Sequence, residues 1–501
     1  MLFRPSPDEL RVIGFYTGRV VYGIGAAMLV PLAVAVGAGE GSDAYAFVIG
    51  ASLAIMTGAA SQLLLRTHTS LDATRGLTVV ALAWIVAPLF GAVPLLLSGH
   101  YASYLDAYFE GMSAFATVGL TLANDLDHMA RGMNLWRHLM QMIGGLGIIL
   151  VVLTIFARAG AAIGTLHTGE GPAERILPNI EHTAKFVLRV VVAYAAIGTS
   201  LLWLLLWRGG LDAVTGAYHA VLLFMTSFHT AGFAAQTASA AFYRSPAVEA
   251  VLMVLMVAGA FSFALHYQLS LGRRRELSRN IETRTLAVSI LALFSILAVG
   301  LARTGTHTDL GGLFRVGFFQ TVSAHTTTGL TTIPDRLFVT DWGALAPAVI
   351  VSAMALGGMA GSTAGGIKAI RIGVLLKGLR RDVRKVLLPD NAVVVESYHA
   401  TTRRVLRDDL VRGAATILLL YLMLYLGGGL LGLFYGYDLT LSLFESTAAG
   451  STGGLSVGLL RPGLEWPLKV VFIAQMLMGR LEFLAVLALG GYVVSVFRGR
   501  L

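Results

Sequence analysis

The sequence predicts an all-α polytopic membrane protein, with two N-terminal transmembrane helices before four similar units of helix, short re-entrant segment and helix. Three observations predict this fold: the composition, the number of long apolar runs and a short motif that occurs four times. Of the 501 residues, 56% are hydrophobic and only 13% are charged. A soluble globular protein needs more charge to cover its surface, so the composition indicates a chain with many membrane spans.

The long apolar runs give the predicted spans, because crossing roughly 30 Å of hydrocarbon takes about 20 residues. Ten runs qualify, of which the eighth and tenth are conspicuously long: 12–36, 44–65, 77–98, 136–157, 186–207, 247–271, 285–302, 345–379, 413–434 and 467–497. Four shorter segments interrupted by Gly and Thr lie between these runs: 104–121, 214–234, 314–331 and 439–456. They are too short to cross, so we expect each to enter and leave the membrane on one side.

The order of long and short segments divides the chain into five parts. We predict two N-terminal transmembrane helices within residues 1–70 and four repeats after them. The first repeat spans 71–160, the second 161–275, the third 276–390 and the fourth 391–501. The third repeat contains the long run 345–379, which we predict to be a broken helix.

Basic residues indicate how the chain lies in the membrane. Of the 37 Lys and Arg residues, 25 fall in stretches that would share the cytoplasmic side, and nine fall on the other side. This asymmetry predicts that both termini are cytoplasmic. The basic clusters are loops next to spans, so the net charge of +9 does not indicate nucleic-acid binding. The polar segment Met1–Leu10 predicts no cleavable signal peptide. The chain has no cysteine, which excludes disulfides, thiolate metal sites and thiol catalysis.

A motif recurs in the four short segments. Each has a Thr two positions before a glycine, Leu or Phe after it, and two small residues six and five positions before it. The four copies are Thr117-Val118-Gly119, Thr230-Ala231-Gly232, Thr327-Thr328-Gly329 and Thr452-Gly453-Gly454. A fifth match, Thr74-Arg75-Gly76-Leu77, lacks the small pair and lies in a predicted cytoplasmic loop, so we treat it as chance. The alternative interpretation is that Gly and Thr merely interrupt hydrophobic segments.

The motif has the residues that a pathway for a dehydrated potassium ion requires. Rings of backbone carbonyls replace the water of the ion. Glycine lets those carbonyls point at one axis, because it has no Cβ to clash in unusual backbone conformations. Non-helical backbone is tolerated at membrane depth where it lines a wet cavity, and a short helix can direct its negative C-terminal end at a cation. We therefore predict that the four motifs together bind K⁺ as a selectivity filter around a pseudo-symmetric central pore.

Four such units in one chain, each with a single filter glycine, resemble the Trk/Ktr/HKT superfamily of potassium transporters. The similarity is strongest to the bacterial TrkH-type potassium-uptake membrane subunit, and three further stretches contribute to it: Gly76–Gly99, Gly357–Arg371 and Met476–Leu489. The resemblance implies a filter at Gly119, Gly232, Gly329 and Gly454. In plant relatives, Ser in place of the first glycine goes with sodium preference, so Gly119 favours potassium.

The resemblance also implies partners and a location. It implies a multi-pass protein of the bacterial cytoplasmic (inner) membrane, in contact with lipid, with potassium as substrate and no covalent cofactor. It implies a homodimer in which each protomer has its own pore. It further implies a separate cytosolic regulatory subunit that binds nucleotide and docks on the basic stretches Arg273–Arg284 and Arg371–Arg412.

The run 345–379 has features of a gate. As one helix it would be about 52 Å long, far more than a bilayer requires. Five glycines, each about 1 kcal/mol worse than Ala in a helix, lie in its middle: Gly357, Gly358, Gly361, Gly365 and Gly366. We therefore predict a mobile loop at Met359–Gly366, which includes Ser362 and Thr363, and the resemblance implies that it blocks the pore from below. The alternative is close packing of small residues against another span.

Charged residues inside predicted spans are candidates for function, because they are costly in hydrocarbon. Arg480 matches a positive charge that, in the family, lies below the filter and helps to gate it. Lys368 is a second candidate, although its long side chain could instead reach the interface. Glu482 is not on the same helical face as Arg480, so we expect no local ion pair. Glu110 and Glu445 each precede a filter glycine by nine positions. Two interpretations of these carboxylates are open: they attract cations, or they are hydrogen-bond partners of the short helices.

Other functions fit the sequence less well. A sodium-permeable or poorly selective cation transporter of the same architecture stays open as an alternative. No span has Arg at every third position, which disfavours a voltage-gated channel. The four repeats run in the same sense, unlike the inverted repeats of many secondary transporters. H-E-x-x-H and paired intramembrane carboxylates are missing from the sequence, so we do not expect an enzyme.

Overall fold

A computed structural model describes residues 5–69, 73–151, 180–306, 309–334, 337–389 and 392–499. Three of the four predicted part boundaries, at 70/71, 160/161 and 390/391, lie outside these residues. The same is true of four basic residues used for the orientation: Arg4, Arg158, Arg175 and Arg500.

Three helices precede the first repeat: α1 (Pro7–Ala27), α2 (Leu29–Gly37) and α3 (Gly41–Leu64). The Ser6 hydroxyl accepts a hydrogen bond from the Glu9 backbone and the Glu9 carboxylate accepts one from the Ser6 backbone, which starts α1 with a capping box. Close contact between α1 and α3 depends on small residues, since a Cβ at Gly58 would lie 2.5 Å from the Tyr22 nitrogen. This packing is typical of membrane helices, where small residues allow backbones to approach.

The rest of the chain contains the same arrangement four times: a long helix, a short helix, a non-helical loop and a second long helix. In the first repeat the helices are α4 (Ala73–Leu97), α5 (Tyr104–Phe115) and α6 (Arg131–Val151). In the second they are α7 (Ile180–Arg208), α8 (Ala213–Phe228), α9 (Pro246–Ala260) and α10 (Phe263–Ser270). The motif-like Thr74–Leu77 lies in α4, which agrees with its treatment as a chance match.

The third and fourth repeats have extra elements on this plan. The third consists of α11 (Glu276–Arg279), α12 (Ile281–Thr304), α13 (Leu310–Gly312), a π-helix (Leu313–Phe318), α14 (Phe319–His325), α15 (Leu337–Thr340), α16 (Leu345–Ala355) and α17 (Ala369–Val386). The fourth consists of β1 (Ser397–Ala400), β2 (Thr402–Val405), α18 (Asp408–Phe434), α19 (Leu439–Ser451), α20 (Trp466–Arg480) and α21 (Leu484–Arg498). The predicted fold class, an all-α polytopic membrane protein, is confirmed.

Among the described residues, six helices are long and apolar enough to cross a membrane, or eight if each of two bent helix pairs is one span. The bent pairs are α9–α10, at 100°, and α20–α21, at 113°. The sequence prediction treated 247–271 and 467–497 as continuous spans, and this was wrong for both. The long run 345–379 is broken as predicted, with a non-helical segment between Ala355 and Ala369.

The α9–α10 bend forms because backbone groups at residues 259–263 make hydrogen bonds with the third repeat and not within one continuous helix. Met359 N–H donates to the Ala260 carbonyl at 3.0 Å and Thr363 N–H donates to the Gly259 carbonyl at 3.2 Å. Phe263 N–H in turn donates to the Gly361 carbonyl at 3.2 Å. The loop of the third repeat thereby satisfies backbone groups that a continuous helix would satisfy internally, as membrane depth requires.

The α20–α21 bend lies at two residues in the left-handed region, Glu482 (φ +50°) and Phe483 (φ +68°). The Glu482 carboxylate accepts a hydrogen bond from Arg371 Nη2 at 2.5 Å. The Phe483 ring packs edge-on against Tyr421, with 5.0 Å between ring centroids. Contacts of both side chains with other helices stabilise this bend. Hydrophobicity alone could not predict it.

Candidate functional site

The four short helices end in the same way, at the motif identified in the sequence. In each, the Thr has a positive φ, at +50° for Thr117, +47° for Thr230, +55° for Thr327 and +58° for Thr452. The residue after the Thr donates its N–H to the carbonyl five residues earlier, as from Val118 to Ser113 at 2.8 Å. This is a Schellman helix end, in which Thr occupies the left-handed position that glycine usually takes.

The sign of φ alternates through each motif. The glycines also have positive φ, +92° at Gly119, +85° at Gly232, +87° at Gly329 and +67° at Gly454, whereas Val118, Ala231, Thr328 and Gly453 between Thr and Gly do not. Left-handed backbone costs a non-glycine residue about 1–3 kcal/mol, so glycine is favoured at the last position and the Thr conformation is maintained by its surroundings.

The four loops meet in a closed ring. A Cβ at Gly119 would lie 2.7 Å from the Ala231 oxygen of the second repeat, and one at Gly232 would meet the Thr328 oxygen of the third. A Cβ at Gly329 would lie 2.9 Å from the Gly453 oxygen of the fourth repeat. The ring closes because a Cβ at Gly454 would meet the Val118 oxygen of the first.

The surroundings of the ring are mostly closed by protein. Gly119, Gly232, Gly329 and Gly454 line one cavity of about 240 Å³, together with residues that follow each glycine in the chain. The Thr117 and Thr452 hydroxyls are buried without a hydrogen-bond partner among the described residues. Two of the four ring carbonyls accept hydrogen bonds, Ala231 O from Gln141 Nε2 at 2.5 Å and Gly453 O from the Leu455 N–H at 3.0 Å.

A side chain nine residues before the glycine supports each loop in three of the four repeats. Glu110 accepts from the Thr121 hydroxyl at 2.9 Å, and Glu445 accepts from the Ser456 hydroxyl at 2.6 Å. In the third repeat Gln320 donates to the Thr331 hydroxyl at 3.1 Å. The second repeat has Leu223 at this position. Of the two interpretations of Glu110 and Glu445, the structure shows the hydrogen-bond partner.

The charge on Glu110 is balanced inside the protein. Arg137 Nη2 lies 2.7 Å from its carboxylate, and both side chains are fully buried. The Arg137 guanidinium also lies 4.1 Å from the centroid of the Phe233 ring, directly after Gly232. Arg137 thus connects the supports of the first and second loops, which sequence analysis did not detect.

Sequence analysis also missed a glycine in the second long helix of three of the repeats. A Cβ at Gly144, Gly259 or Gly479 would collide with a carbonyl in the last turn of the adjacent short helix, that of Phe115, Phe228 or Gly450. The end of each of these short helices can therefore pack against the following long helix only because that helix has a glycine at the contact. Spacing could have found them, since Gly144 and Gly479 both lie 25 residues after their motif glycine and Gly259 lies 27 after its own.

The segment between α16 and α17, which we call the intramembrane loop (residues 356–368), lies against three of the four motif Thr residues. The Thr363 hydroxyl is 3.0 Å from the Thr230 hydroxyl and donates to the Gly259 carbonyl at 2.9 Å. Gly365 N–H donates to the Thr327 hydroxyl at 2.8 Å. A Cβ at Gly365 would overlap the Thr452 hydroxyl. The loop thus contacts threonines of three repeats.

The other glycines of this loop shape its backbone. Gly357 N–H donates to the Ile367 carbonyl at 2.9 Å, which brings the two ends of the loop together. A Cβ at Gly358 would lie 2.9 Å from the Ala260 oxygen, while Gly361 and Gly366 have φ of +70° and +65°. The Ser362 hydroxyl donates to the Met359 carbonyl at 2.6 Å, within the loop.

The two intramembrane cations both contact this loop. Arg480 Nη1 donates to the Thr363 carbonyl at 2.6 Å, and Nη2 donates to the Gly144 carbonyl at 3.4 Å. Lys368 Nζ donates to the Ala364 carbonyl and lies 3.6 Å from the Glu482 carboxylate. Lys368 is buried and does not extend to an interface. Glu482 pairs with Lys368 at the end of the loop and with Arg371 on α17, and the expectation of no simple pair with Arg480 agrees with this arrangement.

Comparison with known proteins agrees with this architecture. Residues 44–490 match the TrkH family, described as cation transport proteins. The chain is 31% identical to an uncharacterized cation transporter of Methanocaldococcus jannaschii, over 97% of this chain and 96% of the relative. It is 31% identical to the Trk system potassium uptake protein TrkI of Halomonas elongata, over 92% of each chain.

A solved structure has the same fold. The crystal structure of the potassium transporter TrkH from Vibrio parahaemolyticus superposes with a TM-score of 0.82 at 26% identity, and the match covers 95% of this chain and 98% of that one. Family, relatives and structure all concern transport across membranes, which agrees with the expectation that the chain is not an enzyme. The chain therefore belongs to the TrkH family of cation transport proteins.

Proposed function

We propose that this protein is the potassium-selective ion-translocating subunit of a Trk-type potassium uptake system. The observation that carries the proposal is the closed ring in which each filter glycine faces the carbonyl that precedes the next glycine. Relatives named as potassium uptake proteins support the choice of ion. The filter consists of the four Thr-x-Gly motifs, with potassium as the transported substrate.

The physical argument begins with dehydration. A ring of carbonyls offers an ion several oxygens in place of its water, and the fit or the field strength of such a ring favours K⁺ over Na⁺. The Thr117 and Thr452 hydroxyls, buried and unpartnered among the described residues, are two more oxygens available just below the carbonyls. The short helices direct their negative C-terminal ends at the same place.

The intramembrane loop and Arg480 form the gate of the proposed pathway. Thr363 and Gly365 contact the threonines directly under the ring, so an ion that leaves the filter meets this loop. Arg480 adds a positive charge there, which opposes a cation. Deletion of Gly361–Gly366 should give constitutive leak in proteoliposomes, and unchanged regulated flux would contradict a gating role.

We further propose the cellular setting implied by the family resemblance. The protein is a homodimer in the bacterial cytoplasmic membrane, with both termini in the cytoplasm and one pore in each protomer. A separate nucleotide-binding subunit docks on Arg273–Arg284 and Arg371–Arg412. The basic residues of these stretches, which flank α12 and α17, support this part of the proposal.

A flux assay tests the function against the alternative of a sodium-permeable or poorly selective cation transporter. The purified chain is reconstituted in liposomes, and K⁺ and Na⁺ uptake are compared at equal concentrations. We expect faster K⁺ uptake, and equal or faster Na⁺ uptake would contradict potassium selectivity.

Two variants refine that assay. Gly119→Ser places a side chain 2.6 Å from the Gly232 Cα, so we expect its K⁺ over Na⁺ preference to fall. Gly427→Ala is the matched control, because Gly427 lies in α18 with no atom within 4 Å of an added Cβ. The control should retain the selectivity of the unmodified protein.

A further inference from the structure

A cavity of about 360 Å³ lies away from the ring, at the end of α12 opposite the filter loops. We call it the basic pocket. Three parts of the fold surround it: the α11–α12 junction, α17 and the β1–β2 hairpin. Its polar lining is formed by Arg279, Arg284, Lys377, Ser397, His399 and Arg403.

The lining of the basic pocket includes four cations and no carboxylate. Carboxylates just outside it match only part of this charge: Glu396 lies 2.8 Å from Lys377, and Glu276 lies 3.0 Å from His399. Three guanidinium groups therefore converge on one cavity with no carboxylate among the lining residues. Such an arrangement favours an anionic ligand.

The three guanidinium groups of the basic pocket have N–H donors without a hydrogen-bond partner among the described residues. Arg284 uses Nε to donate to the Ser278 carbonyl at 2.7 Å, and Arg403 uses Nε to donate to the Ser397 hydroxyl at 3.1 Å. Among the described residues, their terminal nitrogens make no further hydrogen bond, and the Arg279 side chain makes none. Arginine nitrogens in this state suit phosphate oxygens, which they bind in pairs of parallel hydrogen bonds.

The wall of the basic pocket is part of a packed hydrophobic cluster. Ile281 and Tyr398 on its wall are buried in a hydrophobic cluster with Ile370, Val374 and Leu410. Lys377 Nζ also donates to the Ser397 carbonyl at 2.8 Å, which fastens the hairpin to α17. The positions of the basic side chains are thus set by helices that continue into the membrane.

An apolar stripe lies on α17, the helix that also contributes Lys377 to the basic pocket. Leu376, Leu379 and Val383 lie on one face of the helix and are 60%, 63% and 52% exposed. Leu376 directly precedes the pocket residue Lys377. A cationic recess beside an exposed apolar stripe, at the end of membrane-spanning helices, matches the two chemistries of a phospholipid, a charged headgroup and its acyl chains.

We propose that the basic pocket binds a phosphate group, in the first instance the phosphodiester of an anionic phospholipid headgroup. Arg279, Arg284 and Arg403 donate to the phosphate oxygens, Lys377 adds its charge, and the acyl chains lie along the stripe on α17. This site is separate from the ion pathway and does not rest on the proposed transport function. Its residues lie within the stretches proposed to dock the regulatory subunit, so the test uses the chain without that subunit.

The test measures thermal unfolding of the full chain in detergent, with added phosphatidylglycerol, phosphatidylcholine or inorganic phosphate at constant ionic strength. The pocket variant is Arg279→Gln/Arg403→Gln, and Arg274→Gln/Arg275→Gln is the control with the same charge change on the same surface, outside the pocket. We expect phosphatidylglycerol to raise the Tm and phosphatidylcholine not to. The pocket variant removes two cations, each worth about 1 kcal/mol near an anionic surface, so it should bind roughly thirtyfold more weakly, and the control should not.

The outcomes separate the sources of the phosphate. Stabilisation by phosphatidylglycerol alone indicates a lipid headgroup, and equal stabilisation by inorganic phosphate indicates a soluble ligand at the same pocket. No stabilisation by either, or an equal loss in the control variant, would overturn the proposal. If the double variant does not fold, Arg279→Gln alone replaces it, because the Arg279 side chain is exposed and makes no hydrogen bond within the described residues.

Discussion

Arg480 Nη1 donates a hydrogen bond of 2.6 Å to the carbonyl of Thr363, in a repeat other than its own. The hydroxyl of the same Thr363 lies 3.0 Å from the Thr230 hydroxyl, two residues before Gly232. Thr363 therefore joins a buried cation of the fourth repeat to the Thr-x-Gly motif of the second. The intramembrane loop can move away from the ring only if these contacts break together.

The first prediction concerns the charge of Arg480. A positive charge about 8 Å from a permeating cation raises its energy by about 2 kcal/mol at an effective dielectric constant of 20. Arg480→Gln removes that charge, so we expect basal K⁺ flux in proteoliposomes to rise roughly thirtyfold. Arg480→Lys retains the charge and should stay close to the unmodified protein. Equal fluxes in all three proteins would contradict an electrostatic role.

The second prediction concerns the Thr363 hydroxyl. Thr363→Val keeps the shape of the side chain but removes the contacts with Thr230 and the Gly259 carbonyl. Loss of hydrogen bonds from a buried partner costs about 1–3 kcal/mol, which should weaken loop closure and raise basal flux. The control is Ser362→Ala, because the Ser362 hydroxyl donates only to Met359 within the loop. A larger effect of the control would argue against loop closure at Thr363.

The third prediction concerns Glu482, whose carboxylate pairs with Arg371 and Lys368. Removal of one partner from a buried ion pair costs about 3–5 kcal/mol, so Glu482→Gln should lower the Tm of the detergent-solubilised protein by several degrees. Asp409→Asn breaks an exposed pair with Arg407 and should have little effect. The two Tm values are measured side by side, and similar values would show that the buried pairs contribute little.

The fourth prediction concerns pH and the β1–β2 hairpin. A hydrogen bond from Lys377 lowers the pKa of Glu396 below its ordinary value. Because this pKa is depressed in the folded protein, the ionised pair stabilises the fold above the unfolded pKa of about 4.3. That stabilisation is lost as the pH falls through the folded pKa. The Tm difference between the unmodified protein and Glu396→Gln should therefore shrink below about pH 4, and a constant difference would contradict it.

The general fold followed from the sequence because hydrophobic length and the repeated motif are local signals. The break in 345–379 was predictable from its five glycines. The bends at residues 260–263 and 481–483 were not, since they depend on contacts with distant residues, namely Met359 and Thr363 for the first and Arg371 and Tyr421 for the second. Mean hydropathy is the same for a straight and a bent apolar segment.

The candidate site was predictable to a similar depth. The Thr-x-Gly spacing located the twelve motif residues that the structure brings together. Their supports were harder to find, because Arg137 contacts Glu110 across 27 positions of sequence and has no counterpart in the other motifs. The order of the repeats around the ring could not be derived from spacing either, since it depends on which loop packs beside which.

Anomalous X-ray scattering from crystals grown with Tl⁺, a heavy substitute for K⁺, tests the central claim most directly. The account predicts a peak on the axis between the carbonyls of Val118, Ala231, Thr328 and Gly453, weakened when K⁺ replaces Tl⁺. If crystals saturated with Tl⁺ show peaks elsewhere in the protein but none between these carbonyls, the result contradicts the proposed ion pathway.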